Sequence, residues 1–304
     1  MENKYITQAG KGKTHPLLYI AGIVIVVIVT GLFSLPYNLV IASKVNTGEA
    51  DGSRIEDFTY LMTLLDSNVS LIYMMLPFVG GLLALYFVVT KIHKLNWSLF
   101  STSRPKIDVK RIQFSFLLWG FISAVIILLG VFLSPEEVVL NFKPVKFVIL
   151  FCVAIIMIPI QTSFEEYVFR GYLMQGLGWI SKTNWFPLLV TSVTFGLMHI
   201  ANPEVAKLGN GIMVFYIGTG LLLGIITLMD EGIELSLGFH AANNLITALL
   251  ITTDWTAFQT YAIFKDFSEP NLAIELLLIA VLYPFLLFLF AKKYQWNNWK
   301  EKLL

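Results

Sequence analysis

The chain has 304 residues, of which 57% are hydrophobic and only 13% are charged, and its formal net charge is +1. Soluble domains usually carry about 25% charged residues, so this composition excludes an ordinary soluble protein and indicates an integral membrane protein. The near-neutral charge also excludes a strongly basic nucleic-acid-binding protein, and the single cysteine, Cys152, excludes an intramolecular disulfide.

The first predicted element is an apolar segment from Leu17 to about Ala42, which follows a lysine-containing N-terminus. This segment is longer than the core of a signal peptide, so we expect a retained signal anchor. Further apolar segments predict an all-α, multi-pass transmembrane bundle of about eight spans in a lipid bilayer. The predicted spans are residues 17–42, 69–90, 114–133, 147–179, 186–201, 211–229, 235–251 and 272–291.

Three regions divide the chain. Residues 1–145 form N-terminal transmembrane helices and loops, residues 146–251 form the core that carries chemistry, and residues 252–304 form a loop, the last span and a tail. Most of the 21 lysine and arginine residues fall in alternate connections that include both termini. Because cytoplasmic loops are enriched in these residues, both termini are predicted to be cytoplasmic.

The fourth predicted span contains Glu165, Glu166 and Arg170, and ionisable side chains at membrane depth are functional candidates by default. Residues four apart share a helix face, so Glu166 and Arg170 are predicted to pair and to support the helix. Glu165 lies about 100° around the helix and is free to act as a general base toward another helix. The helix must continue to about Trp179 if Glu165 is to lie deep in the membrane.

Two later apolar segments supply the remaining polar candidates. Phe195 lies one turn before His199 and is predicted to pack on its ring, and His199 could share the activation of water with Glu165. His240 and Asn244 lie one turn apart, so their donors could stabilise an oxyanion. Each residue alone could equally make a structural bond between helices, but together they can most easily satisfy one another.

The segments "EEYVFRG", "FGLMH" and "HAANN" resemble the three ordered motifs of the CAAX-processing and bacteriocin-processing (CPBP, Abi) intramembrane glutamate proteases. The family includes the Ras-converting CAAX endopeptidase. The resemblance implies that Glu165 and His199 activate water and that His240 and Asn244 form the oxyanion site. It also implies a peptide or membrane-associated protein substrate, prenylated or not, in a bacterial cytoplasmic membrane. Bacterial members are also linked to bacteriocin self-immunity and to membrane-protein partners.

Other chemistries stay open at this point. No cofactor is expected, but Glu165, His199 and His240 could instead supply a zinc site of the His₂Glu kind. A non-catalytic scaffold or immunity protein of the same family is a second alternative. A proton-coupled transporter is a third, although no inverted repeat supports it.

Overall fold

The computed structural model describes residues 3–304 as a predominantly helical chain, which confirms the predicted all-α, multi-pass class. In this described part of the chain, six helices are long and apolar enough to cross a membrane, and they run over Pro16–Asn46, Ser67–Ile92, Val109–Leu133, Pro144–Ser181, Asn210–Asp230 and Leu272–Tyr294. Two of the eight predicted spans correspond to shorter helices, the apolar Trp185–Leu197 with 13 residues and Glu234–Leu250 with 17. The count of eight crossings therefore stays a prediction.

The α-helices are numbered in chain order. They are α1 (Lys4–Thr7), α2 (Pro16–Asn46), α3 (Phe58–Thr63), α4 (Ser67–Phe87), α5 (Trp97–Ser101), α6 (Val109–Leu133), α7 (Pro144–Glu166), α8 (Met174–Ser181), α9 (Trp185–Leu197), α10 (Pro203–Leu208), α11 (Met213–Asp230), α12 (Glu234–Leu250), α13 (Leu272–Tyr294) and α14 (Trp299–Leu303). Two π-helical segments, Val88–Ile92 and Tyr167–Leu173, extend α4 and join α7 to α8.

Characteristic residues mark where several of the long helices begin. Proline suits the first position of α2, because the backbone N–H that proline lacks would have no partner within the helix at that position. The carboxylate of Asp66 accepts from the Asn68 amide at 3.1 Å at the start of α4, and Asp108 accepts from the Lys110 amide at 3.0 Å at the start of α6. These carboxylates satisfy free amide groups and complement the helix dipole.

Helix α12 lies inside the bundle, where it packs against α6, α7 and α11. A glycine, Gly238, lets α12 approach α6 closely, because a β-carbon there would meet the backbone carbonyl of Ile112. The Ser115 hydroxyl on α6 donates to the carbonyl of Leu235 at 2.6 Å. In contrast, α2, α6 and α13 carry many exposed apolar side chains on their outer faces, as expected for contact with lipid.

Both terminal segments lie at the same end of the bundle. The side-chain amide of Asn3 donates to the carbonyls of Leu228 at 3.0 Å and Lys302 at 3.2 Å. Next to it, the fully buried Tyr5 donates its hydroxyl to the carbonyl of Arg170 at 3.1 Å. The location of both termini in the cytoplasm stays a prediction. It requires both termini to lie on the same side of the membrane, and their position at one end of the bundle agrees with that requirement.

A small three-stranded sheet closes the opposite end. Its strands are β1 (Val138–Leu140), β2 (Ile251–Thr252) and β3 (Phe264–Asp266), in the order β1-β3-β2. Strand β3 pairs antiparallel with β1 and parallel with β2. The sheet therefore ties the connection after α6 to the segment that follows α12.

Candidate active site

The two glutamates lie at the end of α7, where the helix passes into the π-helical segment Tyr167–Leu173 and then continues to Ser181. The predicted continuation past Arg170 is thus confirmed. Arg170 donates from Nη1 to Oε1 of Glu166 at 2.8 Å, and both side chains have no solvent exposure. The predicted pairing of these residues is confirmed, and its burial means that each charge depends on the other.

His240 on α12 connects the two glutamates. Its Nδ1 lies 2.8 Å from Oε1 of Glu166, and its Nε2 lies 3.4 Å from Oε2 of Glu165. Because an ionised carboxylate can only accept, Nδ1 of His240 carries a proton. Oε1 of Glu166 therefore accepts from both His240 and Arg170. The four side chains form a row in the order Glu165, His240, Glu166 and Arg170.

Glu165 is the more accessible of the two glutamates, with 16% of its side chain exposed against none for Glu166. Its Oε2 is buried and makes no hydrogen bond within residues 3–304. The polar side chain placed beside this oxygen is His240, whereas His199 was the partner expected from the sequence. A carboxylate with an open lone pair in a partly exposed position is suited to accept a proton from water.

His199 follows the end of α9 in a turn. Its Nδ1 lies 2.8 Å from the carbonyl of Phe195, which can only accept, so Nδ1 carries the proton and Nε2 of the neutral ring keeps its lone pair. The ring stacks on Tyr216 of α11, with centroids 4.4 Å apart and an angle of 16° between the planes. This stacking fixes the ring, and sequence reasoning gave no indication of Tyr216.

Phe195 places His199 beside the row of charged residues. Its buried ring lies 4.9 Å from the ring of His199, 5.9 Å from the ring of His240 and 4.4 Å from the guanidinium carbon of Arg170. The predicted packing of Phe195 on His199 is confirmed. The two histidines are consequently separated by one aromatic ring, and both lie at the edge of the same site.

Asn244 lies one turn after His240 on α12, and it is half-buried. Its Nδ2 donates to Oε1 of Gln161 at 3.0 Å. Gln161 lies on α7, one turn before Glu165, and only 4% of it is exposed. Sequence reasoning missed Gln161, although a polar residue inside the apolar run before the glutamates was a signal that could have found it.

An ion-pair cluster holds the beginning of α12. Arg104 donates from Nη2 to Oε2 of the fully buried Glu234 at 2.7 Å and to Oδ2 of Asp230 at 3.0 Å. Arg111 pairs with the same Asp230. These contacts fix α12 relative to α6 and α11, and through α12 they fix His240 and Asn244.

The zinc alternative stays a prediction. Within residues 3–304, no group of three or more histidine, cysteine, aspartate or glutamate side chains is placed to hold a metal ion. No step of the proposed reaction depends on a metal.

The fold and site together define a multi-pass membrane protein with a carboxylate–histidine site between apolar helices. Residues 144–246 match the family described as "Type II CAAX prenyl endopeptidase Rce1-like". This range contains all three motifs, so the resemblance predicted from them is confirmed. The uncharacterized protein YyaK of Bacillus subtilis (strain 168) is 28% identical over 236 residues, which cover 77% of this chain and 76% of that protein. No solved structure matches the chain.

Proposed function

We propose that the chain is an intramembrane endopeptidase that hydrolyses a peptide bond of a membrane-associated peptide or protein. The observation that carries the proposal is the continuous row from Glu165 through His240 and Glu166 to Arg170, in which the partly exposed Glu165 at one end has a carboxylate oxygen without a hydrogen bond in the described part of the chain. The match to a family of prenyl endopeptidases over the same residues supports it.

In the proposed reaction, Glu165 takes a proton from a water molecule while the water oxygen attacks the carbonyl carbon of the peptide. His199 shares this step, because its Nε2 keeps a lone pair when Nδ1 bonds the Phe195 carbonyl. The new C–O bond leaves a negative charge on the former carbonyl oxygen. Nδ2 of Asn244 donates to that oxygen, and so does Nε2 of His240, in a ring that carries a proton on Nε2 as well as on the Nδ1 that bonds Glu166.

The tetrahedral intermediate then breaks its C–N bond. The proton held by Glu165 passes to the leaving amine, and the other product carries a new carboxyl group. Glu166 and Arg170 do not touch the substrate in this scheme. They hold His240 in place, since Glu166 accepts from both side chains.

The test is cleavage of a farnesylated CAAX peptide and of the same peptide without the farnesyl group by protein purified in detergent. Mass spectrometry reports the products. We expect the wild type to cleave at least one peptide and Glu165→Gln to lower the rate by about 10²- to 10⁴-fold, the usual contribution of a general base. Glu136→Gln is the matched control, because it makes the same chemical change at an exposed position outside the site.

A chelator should leave the wild-type rate unchanged. Chelator-induced loss with recovery on adding zinc would contradict the metal-free mechanism. No cleavage of either peptide by the wild type, or an unchanged rate in Glu165→Gln, would contradict the proposed function. The comparison of the two peptides also tests whether the site needs a prenyl group. A bacterial cytoplasmic membrane and a membrane-protein partner remain parts of the proposal.

A further inference from the structure

A row of hydrogen-bonded side chains crosses three helices and passes through Asn244. The indole Nε1 of Trp119 on α6 donates to Oδ1 of Asn243 at 3.1 Å. Nδ2 of Asn243 donates to Oδ1 of Asn244 at 3.2 Å, and Nδ2 of Asn244 donates to Oε1 of Gln161 on α7 at 3.0 Å. Every bond in the row therefore runs in the same direction, from α6 through α12 to α7.

The direction of this row is set at Trp119. A side-chain amide has nearly the same shape when its oxygen and nitrogen exchange places, so shape alone does not orient it. The indole N–H can only donate, and it therefore requires the oxygen of Asn243 to face it. The nitrogen of Asn243 must then face Asn244, which turns the oxygen of Asn244 toward Asn243 and its nitrogen toward Gln161.

Packing holds both ends of the row. Only 6% of Trp119 is exposed, and its ring lies 4.4 Å from the ring of Phe239 and 6.2 Å from that of Tyr283. At the other end, Gln161 is buried within α7. Asn244 is half-buried between these fixed ends. Its Nδ2 has two hydrogens and gives one to Gln161, so the second is left for a ligand.

We propose that Trp119, Asn243 and Gln161 are positioning residues that hold the Asn244 amide with its nitrogen, and not its oxygen, toward the carbonyl oxygen of the bound peptide. This inference rests on the proposed function. A donor stabilises the negative charge that forms on that oxygen, whereas an amide oxygen in the same place repels it. The orientation of one amide group therefore decides whether Asn244 helps or opposes the reaction.

Two variants of Asn243 separate this role from simple packing. Asn243→Asp keeps the size and still accepts from Trp119, but its carboxylate cannot donate to Asn244 and instead attracts the Asn244 nitrogen. Asn243→Leu removes both bonds and leaves Asn244 without a preferred orientation. We expect kcat to fall about 10-fold in Asn243→Leu and about 100-fold in Asn243→Asp, with KM unchanged within about twofold.

Two further variants give reference values for these changes in kcat. Asn244→Ala should lower kcat by about 10²- to 10³-fold, the usual effect of removing an oxyanion donor. Trp119→Phe, which keeps the aromatic packing, should lower it by about threefold to tenfold. A purely structural role predicts the reverse order for the two Asn243 variants, because aspartate matches asparagine more closely than leucine does. A kcat for Asn243→Asp equal to or above that of Asn243→Leu would overturn the proposal, as would a change confined to KM.

A spectroscopic readout keeps the test independent of cleavage. In ¹⁵N-labelled protein, the indole signal of Trp119 is identified by its loss in Trp119→Phe. We expect this signal to move upfield in Asn243→Leu, where its hydrogen bond is lost, and downfield in Asn243→Asp, where the acceptor is charged. If the Trp119 signal moves in neither variant, the proposed row of hydrogen bonds is overturned even if the wild type is active. If the signal moves in the variants but the wild type cleaves neither peptide, the proposed function is overturned, and with it the positioning role.

Discussion

At the scale of single residues, Glu166 is the most connected member of the site. Its Oε1 accepts from Arg170 and from His240, all three side chains are buried, and its Oε2 makes no hydrogen bond within residues 3–304. An isolated buried charge is much less stable than a buried pair. The residue is therefore expected to matter for folding as well as for activity.

We predict that Glu166→Gln lowers the free energy of unfolding by about 3–5 kcal/mol, because it leaves the guanidinium of Arg170 buried without a counter-charge. The midpoint of thermal unfolding in detergent measures this effect. The double variant Glu166→Gln with Arg170→Met is the control, since it removes both charges and should recover most of the stability while remaining inactive. A single variant as stable as the wild type would contradict the prediction.

The residue-scale contacts that sequence reasoning predicted are local ones. The pairing of Glu166 with Arg170 and the packing of Phe195 on His199 both follow from a spacing of four residues along the chain. The contact of Glu165 with His240 and the stacking of His199 on Tyr216 join different helices. Periodicity says which face a residue occupies, but not which helix lies opposite.

At the scale of elements, the segment between α12 and α13 is attached to α10 through Glu204. Oε1 of Glu204 accepts from the backbone amide of Ala257 at 2.9 Å, and Oε2 is buried without a hydrogen bond in the described part of the chain. Burial raises the pKa of Glu204, and the bond from Ala257 opposes the increase only partly. Burial of Glu204 in the folded protein therefore favours the neutral carboxyl group.

The sign of the pH effect follows from this shift. The stabilisation due to the raised pKa is fully present below the ordinary glutamate value of about 4.5 and is lost as pH rises through the higher folded value. We predict that backbone amide hydrogen exchange around Ala257, corrected for the intrinsic rate, becomes faster as pH rises through the folded pKa of Glu204. Glu204→Gln should remove this dependence. The same dependence in Glu204→Gln would show that another group is responsible.

Hydropathy predicted the long helices well but not their irregular parts. The first predicted span starts one residue after the helix itself begins at Pro16. The π-helical segment Tyr167–Leu173 is not visible in hydropathy, because hydropathy reports how apolar the residues are and not the pattern of their backbone hydrogen bonds. α9 ends at Leu197 in a turn that precedes Pro203, so it is shorter than the apolar run predicted. Proline favours an extended residue before it, and Asn202 is extended, so no helix could continue through Asn202 into α10.

At the scale of the whole molecule, the distribution of lysine and arginine predicts that the end with both terminal segments faces the cytoplasm. Single cysteines test this after Cys152→Ser removes the native thiol. An impermeant maleimide added to intact bacteria should label Glu269→Cys, in an exposed position near the small sheet, and should not label the exposed Lys300→Cys. Labelling of Lys300→Cys alone would reverse the orientation.

Composition predicted the class of molecule, and the ordered motifs predicted where the site would lie. The contribution of the N-terminal region to the site was harder to predict. Residues 1–145 read as generic membrane helices, yet they supply Trp119, which bonds Asn243 beside the candidate oxyanion residue. They also supply Tyr5, which bonds the carbonyl of Arg170. Such contacts depend on how distant helices meet, and no local pattern in the sequence contains that information.

The N-terminal segment has a consequence for how the protein is made. Asn3 is synthesised before the residues that it bonds, because the two carbonyls belong to Leu228 and Lys302. Its binding place does not exist until the ribosome has added both residues. The segment around Asn3 must therefore stay undocked while the helices between these positions are synthesised. Tyr5 belongs to the same segment, so its bond to the carbonyl of Arg170 also forms after the synthesis of the helix that carries the glutamates.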